Sequence, residues 1–208
     1  MILTTQEKIE RYTANGWWGT KTIDDYFLDL VEQTPEKIAI IDPANKASLC
    51  NSEFLTYTYT QLDDKIDQVA DILLSLGIEK DDIVAIQLPN IVELVITYFA
   101  ILRVGAIASP FPVQFREFEC TQMLESLQAK AVITMNKISE REHAKMFKAL
   151  QEQVPSLQHI LTYDKSDLHD VLHINLSQNV APSEQLIRYK ETLDVTANDI
   201  FTICWTSG

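Results

Sequence analysis

The sequence predicts an α/β fold, a mainly parallel sheet flanked by helices, on three observations. Strand-like apolar runs alternate with helix-like segments from about Thr22 onward. Hydroxyl and carboxylate residues stand where helices would start, and Gly77 and Gly105 stand where two of them would stop. Residues 83–110 read as strand, helix and strand in succession, and a right-handed crossover returns such a unit to the same sheet as a parallel neighbour.

Taken in order, Thr22 with Asp25 forms a capping arrangement, after which Ile23, Phe27, Leu30 and Val31 recur on one helical face until Pro35. Residues 38–41 follow as a buried strand, and residues 54–58 alternate apolar and hydroxyl side chains as a second. Thr60 and Asp63 read as the next cap, ahead of Leu62, Ile66, Val69, Ala70, Leu73 and Leu76 at helical spacing, with Gly77 as terminator. Residues 83–88 read as a strand. Asn90 then caps a helix to about Val104, closed by Gly105, and residues 106–110 return as a strand. Beyond these, residues 118–127 read as a helix, 131–134 as a strand, and Ser139 with Glu142 as the cap of a helix through Met146 and Leu150. Residues 160–162 read as a strand, 164–198 as an irregular surface excursion, and the run from Phe201 as a final strand.

Composition narrows the class. The chain has 208 residues, 46% of them hydrophobic and 23% charged, which suits a packed core and excludes a disordered polar chain. A net charge of -13 argues against a nucleic-acid partner, which demands a basic surface. Cys50, Cys120 and Cys204 are widely spaced and odd in number, so reduced thiols and a cytoplasmic location are expected. The most apolar stretch, residues 94–102, is too short to cross a bilayer, which takes about 20 residues. No signal peptide is evident in the polar start of the chain.

Several residues invite chemistry. Thr206, Ser207 and Gly208 follow an apolar strand, and hydroxyls, backbone N–H groups and a close-approaching glycine at a strand exit suit a polyphosphate. Such a turn also commonly does no more than reverse the chain. None of the five glycines builds a dinucleotide fingerprint. His169 and His173, four apart, would align on a helix, but no third metal ligand accompanies them; His143 and His159 read as surface residues. Cys204 has apolar neighbours and reads as a buried thiol. The acid pairs 24–25, 63–64 and 81–82 read as caps, Trp17 and Trp18 as rings packing the N-terminal arm onto the body, and Arg116 with Glu119 as a local salt bridge.

An ordered series of landmarks resembles the start of an acyl/aryl-CoA synthetase of the AMP-forming adenylating superfamily. The series runs Gly16-Trp17-Trp18, Pro35-Glu36-Lys37-Ile38-Ala39, Leu55-Thr56-Tyr57, Leu76-Gly77-Ile78, Asp82-Ile83-Val84-Ala85, Gln87-Leu88-Pro89-Asn90, Arg103-Val104-Gly105-Ala106, Arg116 with Glu119, and Thr206-Ser207-Gly208. The resemblance implies the first part of the large N-terminal domain of such a ligase, cut within its phosphate loop. Residues 1–59 would form an arm and the start of one sheet subdomain, and residues 60–208 an α/β subdomain. It also implies ATP, Mg2+ and coenzyme A as cofactors, a small aromatic, cyclic or medium-chain carboxylic acid as substrate, and Thr206, Ser207 and Gly208 as contacts to the ATP phosphates. No catalytic residue of the family falls in this chain. The chain alone is then expected to be inactive and, with early strands unpaired, prone to self-association. A truncated interaction module and an unrelated α/β ligand-binding domain are the alternatives.

Overall fold

The computed structural model describes residues 1–50 and 52–206. Its centre is a five-stranded parallel sheet built from β3 (Ile83–Gln87), β4 (Ile107–Pro110), β5 (Ala131–Thr134), β6 (His159–Thr162) and β7 (Val171–His173), in the order β4-β3-β5-β6-β7. The chain steps from β3 outward to β4, then back across β3 to β5. Right-handed crossovers taken in opposite directions deposit their helices on opposite faces. So α5 (Val92–Arg103) lies on one face with α4 (Tyr59–Ser75), while α6 (Glu117–Leu127) and α7 (His143–Gln151) cover the other.

Strand alternation feeds both cores. Val84, Ile86, Ala131, Ile133 and Leu161 point into the α4–α5 core, with Ile66, Leu73, Ile96 and Ala100. Ala85, Val132 and Ile160 point into the other, with Cys120, Leu124, Phe147 and Leu150. Strands buried on both faces are accordingly near-continuous apolar runs rather than alternating ones.

The early strands are not left unpaired as expected: β1 (Ile38–Ile41) and β2 (Thr56–Thr58) pair antiparallel with each other, with the short helix α3 (Lys46–Leu49) between them. Helix α2 (Ile23–Gln33) packs against α4 and α5 through Phe27, whose ring lies 4.9 Å from that of Phe99. Its start is the expected capping box: Asp25 N–H donates to Thr22 Oγ1 and Thr22 N–H to the Asp25 carboxylate.

Other starts differ from the sequence reading. Helix α4 begins two residues earlier, with Thr58 and Gln61 as its box instead of Thr60 and Asp63, because β2 ends directly into it. Helix α5 is not capped by Asn90; the backbone N–H of Val92 donates instead to Asp42 Oδ1, 2.8 Å away and fifty residues earlier. Ser139 does not cap α7; it occupies a left-handed turn at φ +50°. Residues 164–198 are not wholly irregular. They contain β7, paired parallel to β6, and α8 (Glu184–Thr192), which buries Leu186 and packs on α4. Helix α1 (Gln6–Ala14), absent from the sequence reading, buries no residue. Trp17 and Trp18 do not pin the arm to the body: they gather on Tyr12, at centroid distances of 5.5 and 4.9 Å, and remain 69% and 37% exposed.

Gly77 and Gly105 terminate α4 and α5 as expected, both at φ +72°. At Gly105 a Cβ would lie 3.0 Å from Val195 Cγ2 and 3.1 Å from Leu193 Cδ1. Gly105→Ala is therefore expected to lose about 2 kcal/mol of stability, from left-handed strain plus the displaced segment. A urea midpoint unchanged from the parent chain would contradict this.

Candidate functional site

All strands of a parallel sheet end on the same side, and the crevice outside their carboxyl ends is where open α/β sheets bind ligands. The run from Phe201, expected as a final strand, forms no full strand; residues 201–203 meet β4 through a single parallel bridge at Thr202. Ala108 N–H donates to Phe201 O at 3.0 Å, Ile203 N–H donates to Ala108 O at 2.9 Å, and Thr202 Oγ1 adds a bond to the same carbonyl at 3.0 Å. The pairing is parallel, so residues 204–206 emerge at the carboxyl edge. Phe201 is steadied from α5 by Tyr98, their rings 5.8 Å apart.

Of the three residues expected to contact phosphate, Thr206 is exposed at this edge and makes no hydrogen bond among the described residues. Ser207 and Gly208 lie outside the described residues. Close to the exit, Ser109 of β4, fully buried, donates its hydroxyl to Ile203 O at 2.9 Å and accepts from the Trp205 indole N–H at 3.3 Å. Sequence patterning carried no sign of this serine, since a lone hydroxyl inside an apolar strand has no motif.

Next along the edge, the end of β3 organises the starts of α6 and α7. Gln87 donates to Pro112 O at 2.9 Å and Phe115 O at 3.4 Å, and its carbonyl accepts from His143 Nδ1 at 2.7 Å. His143 is thus buried, not superficial. Burial pushes its pKa down to about 4, so the ring is neutral and donates through Nδ1 to an amide whose own N–H is committed to carbonyls. Arg116, Arg141 and Lys145 line the adjoining cleft with Glu117 and Glu142. Arg116 makes no salt bridge with Glu119: its guanidinium donates to Val113 O and Phe115 O, while the Glu119 carboxylate accepts from the Arg116 backbone N–H at 3.0 Å.

The remaining candidates separate. Cys204 is exposed instead of buried, because it lies past the last residue paired to β4. Cys120 is buried, and desolvation pushes its thiol up to about 12, which leaves it protonated. His173 sits in β7 and His169 in the preceding turn, so no helix aligns them. Among the described residues no group of three or more His, Cys, Asp or Glu side chains is placed to hold a metal ion. No helix there is long and apolar enough to cross a membrane.

Comparison with known proteins agrees with this architecture. The chain is 28% identical over 203 residues to a medium-chain fatty-acid–CoA ligase of Escherichia coli, covering 98% of this chain and 34% of that protein. It is 29% identical over 161 residues to a 2,3-dihydroxybenzoate-AMP ligase of Bacillus subtilis, covering 77% of this chain and 28% of that one. The chain thus spans about a third of the length of these curated relatives. Among solved structures, the apo structure of MbtA from Mycobacterium smegmatis superposes with a TM-score of 0.77 at 22% identity, covering 99% of this chain and 35% of that one. The AMP-binding enzyme family matches residues 27–208, from within α2 to the end of the sequence given, and the chain belongs to that family.

Proposed function

We propose that this chain is the first part of an adenylate-forming acid–thiol ligase. In the first step a carboxylate oxygen attacks the α-phosphorus of ATP, pyrophosphate leaves, and an acyl-adenylate forms. In the second, the thiol of coenzyme A attacks the acyl carbon and AMP leaves. The observation that carries the reading is the segment of residues 201–203, bridged in parallel to β4 at Thr202 and leading to Thr206 at the carboxyl edge; Ser207 and Gly208 come next in the sequence. Their hydroxyls and amides are assigned to the ATP phosphates, where fixed donors stabilise the charge that grows on the departing pyrophosphate. Magnesium, when bound with ATP, would supply further charge neutralisation. The medium-chain and aryl-acid specificities of the relatives support an aromatic, cyclic or medium-chain acid as the substrate.

The reaction is assigned to a protein of the relatives' length, not to these 208 residues alone. Acid-dependent exchange of ATP with pyrophosphate tests it. The longer protein is expected to exchange with at least one acid of these classes, and Ser207→Ala is expected to slow it by about 100-fold, corresponding to roughly 3 kcal/mol for one lost donor. Undiminished exchange in that variant would remove Ser207 from the phosphate contacts.

A further inference from the structure

We infer that Ser109 is a positioning residue for the phosphate loop, acting through Ile203 and Trp205; this rests on the ligase reading above. The backbone pairing that seats residues 201–203 on β4 is brief. Only Thr202 forms a bridge, and after Ile203 no described backbone group of residues 204–206 bonds to β4. From there the register is carried by one side chain. Ser109 donates to Ile203 O at 2.9 Å and accepts from Trp205 Nε1 at 3.3 Å, so it holds the residues on both sides of Cys204 and fixes the direction in which Thr206 leaves the sheet.

Packing does not duplicate this hold. Trp205 is 41% exposed and Cys204 is exposed, whereas Ser109 is fully buried, with its own strand paired on both sides by β3 and by residue 202. The anchor is buried in a paired strand, and among the described residues the one other hydrogen bond to residues 204–206 is the long 3.8 Å contact between Cys204 Sγ and Thr202 Oγ1, which does not reach β4 from Cys204. A serine hydroxyl serves both bonds at once, because it has one proton to give and lone pairs to accept with. Ser109→Ala removes both bonds, leaves the Ile203 carbonyl and the indole N–H to water, and creates almost no cavity. The fold should therefore survive while the loop loses its bearing.

Two measurements test this. In the 208-residue chain, hydrogen exchange of Ser109→Ala is expected to accelerate in peptides covering residues 203–206 while β3 and β5 keep the parental protection; unchanged protection in residues 203–206 overturns the clamp whatever the protein's activity. In the longer protein, Ser109→Ala and Trp205→Phe are expected to raise KM for ATP about fivefold, the scale of one neutral hydrogen bond, with KM for the acid unchanged. The double variant should be no worse than Ser109→Ala, and Ser109→Thr, which keeps the hydroxyl, should restore most of the loss. A simple loss of folded protein would lower kcat and leave KM unmoved, and that result overturns the positioning role. Absence of exchange by the parent protein with every acid would instead overturn the ligase reading, and the hydrogen-exchange result would still decide the clamp.

Discussion

Replacing Lys46 by methionine is expected to destabilise the chain by about 3–5 kcal/mol, the range for removing one partner of a buried ion pair. Lys46 is 2% exposed, and its ammonium lies 2.7 Å from Asp42 Oδ2 and 2.7 and 2.9 Å from the two oxygens of Glu93. Asp42 in turn accepts from the backbone N–H groups of Leu55 and Val92. The cluster joins the β1–β2 lobe to the start of α5, so losing the lysine leaves two carboxylates facing each other out of water. Desolvation already raises the Glu93 pKa above its ordinary value, against the opposing pull of Lys46. Without Lys46 the rise is larger, the folded chain holds a proton that the unfolded chain has released, and stability falls as pH rises through that window. The deficit of Lys46→Met relative to the parent should accordingly shrink as pH is lowered from 7 toward 5, and Glu93→Gln in the same chain should restore part of it. Urea titrations at both pH values are the check; a deficit that widens on acidification would reverse the assignment.

Arg103→Leu is expected to cost about 2–4 kcal/mol, somewhat less because its partners reach water. The guanidinium is 1% exposed and donates to Asp24 of α2 at 2.9 Å and to Asp63 and Asp67 of α4 at 2.7 and 2.9 Å, while Lys190 of α8 also reaches Asp67. Burial alone would lower the Arg103 pKa, but the three carboxylates outweigh it and raise the value above that of a free arginine. One side chain thereby ties three helices together. Arg103→Lys should not recover the loss, since a single ammonium cannot reproduce a fork that addresses carboxylates on two helices. Full recovery by lysine in chemical denaturation would show that charge alone suffices there.

Both residues mark where reading the chain reaches its limit. Lys46 sits in a polar connection and gives no local sign of burial; its partner Glu93 is 47 residues away. Arg103 stands out in the sequence only as part of the landmark Arg103-Val104-Gly105-Ala106, and its partners lie 36 to 79 residues earlier. His143 likewise reads as a surface histidine until Gln87, 56 residues away, is folded against it.

What the amino-acid sequence determined by itself was the local grammar and the family. The Thr22–Asp25 box, the glycine stops at Gly77 and Gly105, the helical spacing from Leu62 to Leu76 and the apolar strands at residues 83–87 and 131–134 each depend on neighbours within a few positions. The ordered motifs ending at Thr206-Ser207-Gly208 depend only on residue identity. Tertiary structure alone decided the rest. It set the strand order β4-β3-β5-β6-β7, recruited β7 and α8 from a segment without strong periodicity, moved the α4 cap to Thr58, and bonded Ser109 to Ile203, 94 residues later. Pairing and burial are properties of two segments at once, and no window on one of them contains the other.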